Sequence, residues 1–256
     1  MTKYDCYELC VQSPPALVPF LVALHGNDPK IFAEDFCGSC AASLAWLERV
    51  PGGRAIGTDL DPEPLARARE RNTFADRLAL RERGVLDADE AADVVFVGNF
   101  SIGEIHDRPT LVRYLSRARE RLNPHGIFVC DIYGGDSAFT ICTVNRGHRA
   151  PGGLRVLYTW EQRDADPLTG MVTDVCHFRV ERSGQIIEEY TDAFVYRWRL
   201  WSVPELRDAM AEAGFRTTEV HSKVVDPIED AEPKARPITD PSELEESFIV
   251  FVIGRM

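Results

Sequence analysis

Residues 31–61 read IFAEDFCGSCAASLAWLERVPGGRAIGTDLD. Positions 31–36 form an apolar run of buried-strand length, positions 41–50 carry apolar residues at helical spacing, and positions 54–58 read as a second strand. Together they make a β-α-β unit. Phe36-Cys37-Gly38-Ser39-Cys40 joins the first strand to the helix, and Asp59, followed by Leu60 and Asp61, ends the second strand. A turn of small residues lets a ligand approach the backbone at a helix N-terminus, and an acid on the next strand accepts hydrogen bonds from a ribose. A ligand containing a nucleoside is expected.

The dinucleotide fingerprint G-x-G-x-x-G is absent, because Gly38 alone occupies a glycine position and no third glycine follows at the right offset. A pyrophosphate is poorly served by such a turn. The stretch Glu34-Asp35-Phe36-Cys37-Gly38-Ser39-Cys40 instead resembles the first motif of class I S-adenosylmethionine (SAM)-dependent methyltransferases, an acid followed by x-x-Cys-Gly-x-Gly, with Phe36 and Cys40 in place of two glycines. The run LSRARERLNPHGIFVCD at 115–131 is similar to a helix, Pro-Gly turn and strand of the same family. The resemblance implies SAM as cofactor, with Glu34, Gly38, Asp59 and Leu60 around it. It also implies an acid against the adenine amino group after the third strand, where Asp87 stands; a plain loop aspartate capping the next turn is the other reading.

A chain of 256 residues with 45% hydrophobic content can bury the core of one α/β domain with an insertion. Its formal charge of −12 disfavours nucleic acid as a partner, since phosphate binding draws on clustered Lys and Arg. No apolar run reaches the ~20 residues of a membrane span, and MTKYDCYELC has neither a cationic nor an apolar signal region. Seven scattered cysteines suit reduced thiols and a cytoplasmic setting better than a disulfide framework. Cys37-x-x-Cys40 is also the pattern of a redox dithiol, but Glu34 and Asp35 would raise a neighbouring thiol pKa. A zinc site lacks a second Cys/His pair, and no metal is expected.

Along the chain, residues 4–25 read as one or two helices broken at Ser13-Pro14-Pro15. Tyr4, Tyr7 and Gln12 either reach the ligand from above or pack the helix on the sheet. A helix at 62–74 starts with Asp61 as N-cap and Pro62 in its first turn, and strands follow at 78–83 and 92–99. A helix at 108–122 and a fifth strand at 127–131 come next. Alternating runs at 155–162, 171–181 and 185–197, separated by turn residues, read as an inserted antiparallel β-layer. In small-molecule methyltransferases such a layer forms the acceptor cavity or a dimer contact, so the resemblance implies a possible homodimer. Ser202 and Glu205 form a capping box ahead of a helix that Gly214 stops, and strands at 215–222 and 247–255 close the sheet.

The expected architecture is therefore α/β: a Rossmann-like seven-stranded, mostly parallel sheet with helices on both faces, plus the inserted layer. Residues 1–136 hold a helical lid and the SAM-binding core, 137–196 the insertion, and 197–256 the completion of the core with an acidic surface loop at 226–246. Ligands of such sheets bind beyond the carboxyl ends of the strands, which places Asn99, Phe100 and Ser101 beside the cofactor and acceptor. Glu104, His106, Asp131 and Tyr133 are candidates for acceptor binding or proton removal, His106 for its pKa near ~6.5. His106 equally suits a helix cap, and Tyr133 a bend at Gly134-Gly135. Trp198 and Trp201, or Arg197 on the opposite strand face, could enclose the acceptor. The reading is a SAM-dependent methyltransferase acting on a nitrogen or oxygen of a small molecule, with nitrogen favoured by likeness to amine methyltransferases. The rivals are an NAD(P)-dependent oxidoreductase and a noncatalytic SAM-binding subunit.

Overall fold

The computed structural model describes residues 1–12, 14–222 and 236–256. The chain opens with helices α1 (Lys3–Cys10) and α2 (Pro14–His25), then runs β1 (Ile31–Asp35), α3 (Ala41–Arg49), β2 (Arg54–Asp59), α4 (Pro62–Arg71), β3 (Leu78–Glu82), β4 (Ala92–Val97), α5 (Arg108–Glu120) and β5 (Leu122–Gly135). An antiparallel layer of β6 (Cys142–Ala150), β7 (Leu154–Asp166), β8 (Met171–Arg182) and β9 (Gln185–Arg199) follows. The core is completed by α6 (Val203–Glu212), β10 (Thr217–Ser222) and β11 (Ser247–Arg255). Local chemistry sets many of these boundaries. Asp61 accepts a hydrogen bond from the Glu63 N–H to start α4, Asp107 does the same from Thr110 for α5, and Ser202 and Glu205 cap α6 reciprocally.

The main sheet has the order β10-β11-β5-β4-β1-β2-β3, parallel except for β11, which runs antiparallel to both neighbours. Strand order reverses between β1 and β4, so a crevice opens beyond their carboxyl ends. One face is covered by α2 and α3, whose Leu21, Leu24, Leu44 and Trp46 pack on Phe32, Val94 and Phe96. The other is covered by α5 and α6, with Leu111, Tyr114, Leu115 and Met210 on Val95, Phe128 and Val252. Each fully buried large side chain contributes on the order of 1.5–3 kcal/mol, so both faces are firmly held.

The second sheet has the order β6-β7-β8-β9, and its inner face (Val156, Tyr158, Cys176, Phe178, Val180) receives Cys6 and Cys10 of α1. Its β8–β9 turn is closed by Ser183 and Gly184, at φ +51° and +80°, the left-handed pair that a tight hairpin requires. The layer has four strands rather than the three expected. The additional one, β6, is an edge strand whose residues are mostly exposed, so it carries no apolar alternation to read. The boundary expected at 196/197 falls inside β9, and β5 extends over the Pro-Gly turn to Gly135. Of the acidic stretch at 226–246, residues 226–235 lie outside the described residues, as does Ser13. Residues 236–246 are tied to the sheet by the Ile238 N–H on the Val220 carbonyl, at 2.7 Å. All seven cysteines are free thiols, and among the described residues no single helix is long and apolar enough to cross a membrane.

Candidate functional site

The turn from β1 into α3 keeps a glycine-type backbone with few glycines. Phe36, Gly38 and Cys40 all lie in the left-handed region, at φ +55°, +51° and +57°, which costs a side-chain-bearing residue roughly 1–2 kcal/mol. Two backbone bonds hold the path, Cys37 N–H to the Thr58 carbonyl at 3.1 Å and Cys40 N–H to the Cys37 carbonyl at 2.8 Å. Packing helps, since the Phe36 ring meets Tyr114 edge-on and both sulfurs settle over Gly57. A Cβ at Gly57 would lie 2.4 Å from Cys40 Sγ and 3.0 Å from Cys37 Sγ. Burial raises the Cys37 pKa, and at Cys40 a hydrogen bond with Cys37 that lowers the pKa is outweighed by burial and the Glu34 and Asp59 charges, so neither thiol is a ready nucleophile. Cβ space at Gly38 is empty within 4 Å, which leaves that side of the turn open.

Two acids organise the turn. Glu34 accepts from Ser43 N–H at 2.8 Å and Ser43 Oγ–H at 2.5 Å, and so caps α3, which Cys40 leaves without a side-chain cap. Burial nonetheless pushes its carboxyl up to about 7. Asp59 accepts from Gly38 N–H at 2.7 Å and from Asp61 N–H at 2.9 Å, one on each oxygen, and each oxygen keeps a second lone pair. Beside it Leu60 is 73% exposed, an apolar surface at the mouth of the crevice. Asp87 is exposed in the turn Val85–Asp87, and no hydrogen bond among the described residues joins it to Asp59 or Gly38. Asp35 stays out of the crevice, fully buried against Tyr114 and Arg121.

Beyond β4, Asn99 and Phe100 also adopt positive φ, +55° and +64°. The buried Asp131 carboxylate accepts both of their N–H groups, at 3.2 and 2.7 Å, and thereby fixes the bend. The Phe100 ring meets Tyr133 and Trp198 with centroids 5.0 and 5.9 Å away, and Ser101 starts a short helical turn, Ser101–Glu104. Trp198 packs on Gly103, where a Cβ would lie 2.8 Å from its own, and donates to Glu104 Oε1 at 2.9 Å. Two of the expected residues are committed elsewhere. His106 Nε2–H donates to the Arg197 carbonyl at 2.7 Å, which makes it a tie between the turn and β9. Trp201 is a core residue, donating to the Ile105 carbonyl at 2.9 Å beneath the Arg199 guanidinium, while Arg197 is exposed.

Helix α1 lies across this mouth. Glu8 accepts from Ser39 Oγ–H at 2.8 Å and from Arg67 Nε–H at 3.1 Å and also pairs with Arg71, while Asp5 pairs with Arg67 at 2.6 Å. Tyr4 and Tyr7 turn toward the β-layer, with Phe194 5.4 and 4.9 Å from their ring centroids. Tyr7 and Tyr196 share a hydroxyl contact, and burial raises the Tyr7 pKa. Glu8 and Asp174 belong to no motif in the sequence. The latter sits among inward-facing apolar residues in MVTDVCHF, and that placement was the one signal available for it.

No family model matches the sequence. The chain is 30% identical over 124 residues to a malonyl-[acyl-carrier protein] O-methyltransferase of Xylella fastidiosa (strain M23), a match spanning 47% of this chain and 41% of that protein. The matched stretch is thus less than half the relative's length. Among solved structures, a SAM-dependent methyltransferase of Clostridium acetobutylicum ATCC 824 superimposes with a TM-score of 0.71 at 12% identity, covering 99% of this chain and 97% of that one. DesVI of Streptomyces venezuelae gives 0.71 at 16% identity over 98% and 95%, and the amino pentose methyltransferase CalS10 of Micromonospora echinaspora gives 0.67 at 17% over 100% and 98%. The fold is that of SAM-dependent methyltransferases. These superpositions take in the β-layer as well as the sheet, so the layer is part of this methyltransferase fold. Glu34, Gly38, Asp59, Asn99 and Phe100 all stand at the carboxyl-end crevice of its sheet.

Proposed function

We propose that the protein is a SAM-dependent methyltransferase acting on a nitrogen or oxygen nucleophile of a small molecule. The observation that carries this reading is the Asp59 carboxylate, held 2.7 Å from the Gly38 N–H across the mouth of the crevice. Its remaining lone pairs suit the two hydroxyls of a ribose, and the exposed Leu60 beside it suits an adenine face. The open side of Gly38 leaves room for the amino acid end of the donor. These residues fit the cofactor, with Glu34 holding α3 in place behind the turn, Asp87 available to the adenine amino group, and Asn99, Phe100 and Tyr7 completing the enclosure.

When bound, SAM supplies a methyl group already activated on a sulfonium. The chain's own task is then to orient a nucleophile and exclude water, and positioning alone is worth roughly 7 kcal/mol or more. Tyr133, Phe100, Ser101 and Trp198 border the acceptor side, with Tyr4 at its rim. All three expected catalytic groups already have partners, His106 on the Arg197 carbonyl, Glu104 on Trp198 and the Tyr133 hydroxyl on Asp174, and of the three it is Tyr133 whose ring packs against Phe100 on the acceptor side. The free thiols support a reducing, cytoplasmic setting, and exposed Ile186 and Val195 on β9 leave the outer side of the layer free for a homodimer.

Calorimetry with SAM, S-adenosylhomocysteine and NAD tests the cofactor. SAM and S-adenosylhomocysteine should bind and NAD should not; tight NAD binding beside weak SAM binding would overturn the reading. Acceptor-dependent release of S-adenosylhomocysteine separates an enzyme from a noncatalytic binder.

A further inference from the structure

Asp174 stands at the centre of the inner face of the β-layer, directly opposite Gln162 on β7 and Tyr196 on β9. It is fully buried, yet its Oδ1 has no hydrogen-bond partner. Its Oδ2 accepts from the Tyr133 hydroxyl at 2.8 Å, and the same hydroxyl lies 3.1 Å from Gln162 Oε1. A hydroxyl has one proton to give, and the Gln162 amide hydrogens are spent on the Ala138 and Thr140 carbonyls, both at 2.9 Å. Two acceptor atoms therefore compete for one donor proton, and a third, Oδ1, has none.

No cation balances them: among the described residues no Lys, Arg or His pairs with Asp174, and burial alone pushes its carboxyl up to about 7. The surroundings are aromatic. Trp160 meets Tyr133 edge-on at 6.1 Å, Tyr196 stacks on Trp198 at 4.5 Å, and Tyr133 stands between Asp174 and a narrow crevice that it borders with Phe100 and Trp198. A buried carboxylate short of donors, with the aromatic side chains of Tyr133 and Tyr196 beside it, suits an organic cation with N–H groups.

We propose that Asp174, with Gln162 and Tyr133, forms the acceptor's anchoring site, and that it takes a protonated amine. This deepens the proposed function and rests on it. The amine's N–H groups satisfy Oδ1 and Gln162 Oε1, its charge offsets the carboxylate, and its hydrocarbon lies on the aromatic rings. An alcohol supplies one donor and no charge. Asp174 is a positioning group here, and docking of the β-layer on the core through Tyr133 is compatible with it but does not account for the unpartnered oxygen.

Butylammonium and 1-butanol serve as matched probes, titrated calorimetrically at about pH 8.5, where the carboxylate is ionised and the amine still protonated. Butylammonium should bind saturably and about tenfold or more tighter than butanol, the ratio expected of a charge-assisted hydrogen bond. Asp174→Asn keeps an acceptor for Tyr133 and should abolish the preference. Equal binding of the two probes, no saturable ammonium binding, or a preference that survives in Asp174→Asn would overturn the proposal. The wild-type comparison stands without any variant. Because it is made both with and without S-adenosylhomocysteine, failure of the cofactor to bind is read separately from failure of the amine site.

Discussion

Asp59 has a structural task besides any contact with a ribose, because its two oxygens hold the N–H groups of Gly38 and Asp61. Asp59→Ala should raise the SAM dissociation constant by roughly ten- to a hundredfold, the worth of about 1.5–3 kcal/mol of charge-assisted bonds, as calorimetry would read. Unchanged affinity would mean that the carboxylate only braces the turn. Glu34 invites a different measurement. Burial lifts its folded pKa to about 7, above the ordinary value of 4.5, so the folded state favours the protonated form. Its stabilising contribution is whole below pH ~4.5 and is lost as pH rises through ~7. Glu34→Gln preserves an acceptor for Ser43 without the charge. Relative to wild type, the variant should gain on the order of 2 kcal/mol in urea unfolding between about pH 5 and pH 8. A difference that does not change with pH would place the Glu34 carboxyl at an ordinary pKa.

At the scale of elements, β1 is pinned to α5 by an ion pair with little solvent around it. Asp35 Oδ2 accepts from Arg121 at 2.5 Å and from Tyr114 at 2.8 Å, while Asp35 Oδ1 and Arg121 Nε and Nη1 have no hydrogen-bond partner. Removing one member of such a pair strands the other, so Arg121→Ala should cost about 3–5 kcal/mol in chemical denaturation. The double change Asp35→Leu with Arg121→Met should recover most of that loss, since an incompletely bonded buried pair offsets little more than its own desolvation. A double variant no more stable than Arg121→Ala would contradict this. The pair also marks where sequence reading stopped. The β-α-β unit, the caps at Asp61 and Ser202 and the meeting of Gly38 with Asp59 follow from local periodicity and spacing, so they were legible. Asp35–Arg121 joins residues 86 positions apart, and Asp174 meets Tyr133 across 41, distances at which one sequence carries no pairing information. Strand β6 escaped for the opposite reason, since an exposed edge has no face to bury and hence no pattern.

On the scale of the whole molecule, α1 belongs to two bodies by two kinds of force. Its Cys6 and Cys10 are buried against the β-layer, an apolar attachment, whereas Asp5 and Glu8 hold Arg67, Arg71 and Ser39 of the core, a polar one. A ligand reaching the turn at Gly38 has to pass this helix, and of the two attachments the polar one can exchange with water at low cost. Cofactor exchange should therefore be governed by the ion pairs, with α1 parting from the core while keeping its hold on the layer. Glu8→Ala removes the partner of Ser39 and Arg71 and leaves Arg67 with Asp5 alone, so both association and dissociation of S-adenosylhomocysteine should quicken. Stopped-flow traces should show increases of several-fold to about tenfold, corresponding to roughly 1–1.4 kcal/mol off the opening step, with a smaller change in the equilibrium constant. Salt should act in the same direction on wild type, because partly exposed pairs are screened once the Debye length falls to about 3 Å near 1 M, and the variant should respond less. Rates in Glu8→Ala equal to those of wild type would mean that the cofactor enters by a path α1 does not control.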